Sequence, residues 1–447
     1  MIVMKFGGSS VANGERIRHV VDIMKPELKR KPVLVLSAMG DTTDHLLEAA
    51  DDALLKGVVS TDIIGRLHSK TIRELGLDPG VQRDIDPLLQ ELQHLLLGIS
   101  MIKELTCRTK DYLVSFGERL SVRIVAAYCN AVHIKAQAMD AWETGFISDS
   151  NFSSAELLKE SWDKIPQALN PILDKGILPV VTGFIAKDQQ GNITTLGRGG
   201  SDRSATIIAS ACKAEEIQVW KDVDGILTAD PRIVPEAQPV ETVTYEEAAE
   251  LAYFGAQVLH PWAMRPCMKS GTPVLVKNSY NPNAPGTRIL SVRPEQAAPV
   301  LAITSRRNVI LVDIVSTRML GQYGFLQTVF ADFAKHKISV DMVATSEVSI
   351  SVTLDSIYDL EPLMADLLRI AAVEVKTSRA IVTIIGDVHR SSEILQRAFQ
   401  VCAQSGIQTQ MVSQGASKVN ISFIVNDNQA VEVVKGLHKD FFENKQA

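Results

Sequence analysis

The sequence predicts an α/β protein: a three-layer domain with a parallel-rich sheet, followed by two smaller βαββαβ units. Three observations carry this. Strand-like and helix-like runs alternate through the first two thirds of the chain, and some of the strand runs are apolar throughout, as in a parallel sheet covered on both faces. Two strand-to-helix connections are glycine turns, at Gly7-Gly8 and at Gly197 to Gly200. Beyond them the chain repeats itself: Ile338-Ser-Val-Asp-Met-Val matches Ile407-Gln-Thr-Gln-Met-Val, 69 residues later, and each copy follows an amphipathic helix. A repeat of that size fits the ferredoxin-like plan.

In order, Met1 to Phe6 reads as a strand, Val11 to Met24 as a helix, Lys31 to Ser37 as a buried strand and Asp44 to Leu55 as a helix. Thr61 to Arg123 is largely helical, and its stripe of Leu92, Leu95, Leu96 and Ile99 has helical spacing and reads as core. Further strands are expected at Val132 to Ala136, Ile177 to Ile185, Thr194 to Leu196, Glu216 to Trp220 and Pro273 to Lys277. Between the last two lies a polar loop, Lys221 to Arg232. The Asn/Pro-rich turn at Asn278 to Gly286 precedes the end of the first domain, taken as 1–295.

The first repeat copy carries four strand-like runs, but the second carries only three, because the tail after Lys439 is not strand-like. Val300 to Thr304 is the unassigned apolar run that supplies the missing strand. The expected units are therefore 306–378, inserted within a discontinuous second unit of 299–305 plus 379–447.

At 447 residues the chain exceeds what a single core supports. Its 46% hydrophobic and 22% charged residues place it among globular proteins, and its net charge of −6 supplies no basic field for nucleic acid or an anionic membrane. The five scattered cysteines lack a Cys-x-x-Cys pair and read as thiols in a reducing compartment. Met1 runs directly into a strand, so the expected location is cytoplasmic.

Chemistry concentrates at the glycine turns. Lys5 stands near the carboxyl end of the first strand, where open α/β sheets bind ligands. Arg198 lies inside the second turn, followed by Asp202 at the head of a helix. Glycine turns feeding helix N-termini suit anions, and a lysine there neutralises phosphoryl oxygens. No Walker-type motif and no protein-kinase signature set occurs.

Lys5-Phe-Gly-Gly-Ser-Ser10, Ser115-Phe-Gly-Glu118, Thr195-Leu-Gly-Arg-Gly-Gly-Ser-Asp202, Trp220-Lys-Asp-Val-Asp-Gly225, Asp230-Pro-Arg232 and Phe254-Gly-Ala-Gln-Val-Leu-His-Pro261 together resemble the aspartate kinases of the amino-acid kinase superfamily. The repeat resembles their paired ACT domains. The resemblance implies a monofunctional enzyme that transfers the γ-phosphoryl group of ATP to the side-chain carboxylate of L-aspartate, with Mg2+ bound through ATP and no protein-side metal ligand. It further implies that Lys5, Gly8, Ser9 and Asp202 serve catalysis, Lys5 holding developing charge and Asp202 orienting it. Ser37, Thr43, Glu118, Arg198 and Ser201 would bind substrate, Arg198 its α-carboxylate and Glu118 its α-ammonium.

By the same resemblance Lys5, Gly7, Gly8, Lys221, Asp222, Gly225, Ile226, Asp230, Arg232 and Gln257 would meet the nucleotide. Gln257 stands where many members have lysine and plant-type members glutamine. His260 reads as structural. Met319, Leu320, Gly324, Phe325, Leu326, Ser339, Val340, Asp341, Thr345, Ser346 and Glu347 resemble the effector pocket of lysine-sensitive members, with L-lysine as allosteric inhibitor. Gln410 replaces Asp341 in the second copy, which assigns the effector to the first. A homodimer or higher homo-oligomer through the ACT units is implied. The competing readings are a kinase for another amino acid and a catalytically silent ACT-domain sensor.

Overall fold

A computed structural model gives the fold and describes residues 1–253, 259–293, 298–316, 323–415 and 417–443. The chain divides into two compact units. The first comprises Met1–Ile226, Glu241–Ala249 and Gln257–Arg293, the second Leu227–Val240, Glu250–Ala256 and Pro294–Ala447. This differs from an uninterrupted first domain of 1–295. Ala229 and Val234 bury their side chains in a core of the second unit, which draws the polar loop into it.

The first unit begins with β1 (Ile2–Phe6), α1 (Gly14–Met24), β2 (Pro32–Leu36), α2 (Thr42–Asp51), α3 (Asp62–Glu74), α4 (Pro79–Ile102) and α5 (Cys107–Ala131). Next come β3 (Ala136–Met139), β4 (Ile147–Ser148), α6 (Ser161–Asp174), β5 (Leu178–Thr182), β6 (Ile185–Asp188), β7 (Ile193–Thr195), α7 (Gly200–Ala211) and β8 (Glu216–Lys221). It ends with β9 (Thr242–Thr244), α8 (Tyr245–Tyr253), α9 (Pro261–Ser270), β10 (Val274–Asn278) and β11 (Thr287–Leu290), α8 running on into the second unit's residues. The sheet order is β3-β5-β2-β1-β8-β10-β11-β9, with parallel pairing from β3 to β10 and β11 antiparallel to β10. A small sheet β4-β6-β7 stands beside it in sequence.

Alternation along β1 explains the apolar runs. Ile2, Met4 and Phe6 enter the core built with α1 to α5, while Val3 points to the opposite face and is equally buried. Leu92, Leu96 and Ile99 are in that core, and Leu95 packs against it. The helix expected from Val11 starts later, because Gly8–Val11 forms a 3-10 turn and Asn13 caps α1 by accepting from the Arg16 N–H at 3.0 Å.

The second unit holds β12 (Val300–Val315), α10 (Phe325–Lys335), β13 (Val343–Thr345), β14 (Ser349–Asp355), α11 (Glu361–Leu367), β15 (Ala372–Gly386), α12 (Ser391–Gln404), β16 (Val412–Ser413), β17 (Asn420–Asn426) and α13 (Ala430–His438). Its sheet is antiparallel, in the order β13-β14-β12-β15-β17-β16. Strand β12 is shared between two cores. Val300 and Ile303 pack with Val382, Ile384, Phe423 and Leu437, whereas Ile310, Val312 and Ile314 pack with Val329, Phe333 and Val352. A register shift lies between those stretches, and Asn308 there has φ 56°. The edge strands β13 and β16 are short, and the residues before them make isolated bonds, Asp341 N–H to the Thr353 carbonyl and Gln410 N–H to that of Ile424, each at 2.9 Å.

Candidate active site

The carboxyl ends of β1 and β8 bring two lysines to one carboxylate. Lys5 is the penultimate residue of β1 and Lys221 the last of β8, and the strands pair in parallel with Lys5 opposite Val219. Asp202 lies in the first turn of α7, where the helix N-terminus favours negative charge. Lys5 Nζ is 2.6 Å from Asp202 Oδ1, both side chains being 9% exposed, and Lys221 Nζ is 3.6 Å from Oδ2. Burial works to raise the Asp202 pKa, but the two ammonium groups outweigh it and hold the carboxyl below its ordinary range. Burial and repulsion from Lys5 lower the Lys221 pKa despite Asp202. Two cations on one anion leave a net positive charge at the strand ends, which suits an anionic ligand.

The Gly7-Gly8 turn lies directly after Lys5. A Cβ on Gly8 would sit 2.8 Å from the Ala38 carbonyl oxygen, so only glycine fits between the turns after β1 and β2. The Gly40 N–H donates to the Gly8 carbonyl at 3.0 Å, and the Ser37 N–H to that of Phe6 at 3.2 Å. Ser9 is exposed; Thr43 and Ser201 are half-buried in the first turns of α2 and α7.

Glu118 comes from the middle of α5. It is 3% exposed, and its Oε1 accepts the Ala38 N–H at 3.2 Å while Oε2 is buried without a partner among the described residues. Burial pushes this carboxyl up to about 8; the Ala38 N–H and the Lys5 charge act the other way and do not offset it. An unpartnered, desolvated carboxylate is costly, and a cation brought to Oε2 would relieve it.

Arg198 is exposed in the glycine turn and pairs with no described residue. Asp222 is exposed as well, whereas Gly225 and Ile226 are buried and the Ile226 N–H donates to Thr287 Oγ1 at 2.8 Å. Asp224 is fixed by the Asn278 and Asn281 side-chain amides at 2.8 and 3.3 Å. Asp230 and Arg232 belong to the second unit and bond to each other at 2.7 Å, in a turn made by that pair. Gln257 lies outside the described residues. His260 caps α9, its Nδ1 accepting from the Trp262 N–H at 3.3 Å, which agrees with a structural role.

Within the second unit Met319 and Leu320 lie outside the described residues. Gly324, with φ 87°, precedes α10, and Phe325 and Leu326 form its first turn. Ser339 is exposed, its N–H 3.4 Å from the Tyr358 hydroxyl, and Val340 packs against the core of Ile310, Val312 and Ile314. Thr345, Ser346 and Glu347 are exposed, with Ser346 Oγ 2.6 Å from Ser349 Oγ. Asp341 is not open. Its Oδ1 accepts the Tyr253 hydroxyl at 2.5 Å and its Oδ2 accepts Arg306 Nη1 at 3.2 Å, leaving the side chain 6% exposed. Neither Tyr253 nor Arg306 was found from sequence, since no motif marks them.

The amino acid kinase family model matches residues 1–278, and an ACT domain model matches 312–358 and 382–441. Aspartokinase 1, chloroplastic, of Arabidopsis thaliana is 51% identical over 459 residues, covering 99% of this chain and 80% of its own. The chain belongs to the aspartokinase family. It shares the aspartokinase fold as well. The crystal structure of Escherichia coli aspartokinase III in complex with aspartate and ADP (R-state) superposes with a TM-score of 0.80 at 31% identity, covering 99% of this chain and all of that one. The same aspartokinase in complex with lysine and aspartate (T-state) gives 0.81 at 31% identity, covering 99% of both chains. The activity of the chain is that of an aspartate kinase. Among the described residues no helix is long and apolar enough to cross a membrane, and no group of three or more His, Cys, Asp or Glu is placed to hold a metal ion.

Proposed function

We propose that the chain binds ATP and L-aspartate in the first unit, where an oxygen of the aspartate side-chain carboxylate attacks the γ-phosphorus. The bond from that phosphorus to the β–γ bridging oxygen breaks, giving 4-phospho-L-aspartate and ADP. The observation that carries this reading is the buried Lys5–Asp202–Lys221 cluster beside a Glu118 with an open oxygen. A carboxylate is already a nucleophile at neutral pH, so the site needs no general base; it must reduce anion–anion repulsion and align the partners. Lys5, held by Asp202, faces the transferring oxygens. Gly7, Gly8 and Ser9 line their path. Lys221, Asp222, Gly225 and Ile226 meet the nucleotide, and Gln257, Asp230 and Arg232 are assigned to it by resemblance alone.

Arg198 forks onto the α-carboxylate and Glu118 receives the α-ammonium, with Ser37, Thr43 and Ser201 completing the aspartate site. Mg2+ is assigned by resemblance as a partner of the ATP phosphates, where it would screen their charge from the incoming carboxylate. ADP release measured with aspartate, glutamate and N-acetylglutamate tests the assignment. Turnover confined to aspartate is expected; no turnover with aspartate, or equal turnover with all three, overturns it.

We further assign the ACT units to 306–378 and to 299–305 plus 379–447, a reading supported by the two cores that share β12. L-Lysine is the proposed inhibitor, bound by the first ACT unit around Asp341 and Glu347, and the ACT sheets are the proposed surface of a homodimer. Five free cysteines suit a cytoplasmic, reducing setting. Calorimetric titration with lysine tests the effector, and sedimentation tests the dimer.

A further inference from the structure

Asp111 lies two turns before Glu118 on α5, so the two carboxylates share one side of the helix. It is 2% exposed and pairs with no cation among the described residues. Its charge is met by four hydrogens instead. Oδ2 accepts the backbone N–H groups of Ser153 and Thr195 at 2.8 and 2.9 Å; Oδ1 accepts Thr195 Oγ1 at 2.9 Å and Ser153 Oγ at 3.4 Å. Only an acceptor-only group with two oxygens satisfies that set, since an amide would turn an N–H toward donors.

What this carboxylate holds is strained and leads straight to Arg198. Ser153 has φ 70°, the left-handed region that strains a residue with a Cβ. Its carbonyl oxygen lies 3.3 Å from where a Cβ on Gly197 would stand, so the Ser153 backbone forms the floor beneath the glycine turn. Thr195 closes the same loop, its carbonyl accepting from the Ala155 N–H at 2.8 Å. Arg198 itself lies exposed between Gly197 and Gly199, at φ 74° and 69°, with no side-chain partner among the described residues to aim it. Its direction therefore comes from below.

We infer that Asp111 is a positioning residue for substrate: it fixes the Ser153 loop and Thr195 so that the turn presents Arg198 to the α-carboxylate. The inference rests on the proposed role of Arg198. On this basis D111N raises the aspartate KM about ten-fold or more and leaves the ATP KM within about two-fold. S153G, which adopts positive φ unaided, restores part of the aspartate affinity when added to D111N. In an R198A background D111N adds less than about two-fold, because the residue it positions is gone.

Equal changes in both KM values, or full additivity with R198A, overturn the inference. Should D111N fail to fold, T195V removes one donor while keeping the shape; a several-fold rise in aspartate KM alone is expected, and a wild-type value overturns the inference. R198A that leaves the aspartate KM unchanged overturns the reading of Arg198 itself, whatever D111N does.

Discussion

Two carboxylates in this chain are proposed to receive amino groups, and they stand in opposite conditions. Glu118, in the first unit, has one oxygen buried and without a partner among the described residues, and burial pushes its carboxyl up to about 8. Asp341, in the second, has both oxygens taken, one by the Tyr253 hydroxyl and one by the Arg306 guanidinium, which also bonds Asp355. The proposed substrate carboxylate keeps one oxygen without a protein donor among the described residues, and burial favours its protonated form. The effector carboxylate is filled by the protein's own donors. A ligand reaching Glu118 exchanges a proton for an ammonium, whereas one reaching Asp341 must displace partners. Catalysis gains from a site that is built in advance, and regulation gains from one with two occupancies.

The largest effect that breaks this contrast is removal of the charge beside Glu118. K5A is expected to lower kcat by about 10³-fold, since the cation proposed to face the transferring oxygens is lost while Asp202 keeps Lys221. Steady-state kinetics read this, with lysine binding by calorimetry unchanged. A smaller effect is expected from E118Q, which raises the aspartate KM roughly 10- to 100-fold, the range for a hydrogen bond to a charged group.

The pH dependence sharpens the same point. With a free-enzyme pKa of about 8, Glu118 is protonated at pH 7 and must lose that proton to hold an ammonium. Aspartate binding therefore releases a proton, and the KM falls as pH rises toward 8, roughly ten-fold per unit below the pKa. E118Q flattens that slope. Calorimetry in buffers of different ionisation enthalpy counts the proton, and no proton release in the wild type contradicts a protonated Glu118.

Much of this was legible in the sequence, because the fold and the main cluster rest on local signals. The strand–glycine–helix pattern marked Lys5 and the Gly197 to Asp202 turn, and the parallel pairing of β1 with β8 then explains why Lys5 and Lys221 converge on Asp202. Counting strand-like runs singled out Val300 to Thr304, because an apolar run of that length needs a core. What stayed hidden depends on contacts far apart in sequence. Asp111 reads as one more charged residue on a long helix until Ser153 and Thr195 arrive from 42 and 84 positions away. Tyr253 and Arg306 reach Asp341 across separations of 88 and 35 residues. Residue type at a motif position names a candidate ligand group, but whether that group is open or already occupied is a property of packing.

The smallest effect follows from that occupancy. The Tyr253 hydroxyl lies against Asp341, and burial, reinforced by the carboxylate, pushes its pKa up to about 12, so it stays a neutral donor throughout the working pH range. Y253F deletes that donor and leaves the ring that Arg306 covers at 5.5 Å. One of the two competitors for the Asp341 oxygens is then gone, while Arg306 keeps its bond. If an effector ammonium must displace the hydroxyl, its binding no longer bears that cost. The net worth of such a bond, about 0.5 to 1.5 kcal/mol, corresponds to lysine binding tighter by roughly three- to ten-fold. Calorimetry and the inhibition midpoint should move together, with the aspartate KM in the absence of lysine unchanged. Weaker lysine binding in Y253F would mean that the hydroxyl supports the pocket instead of filling it, and Asp341 would then resemble Glu118 in being arranged for its ligand beforehand.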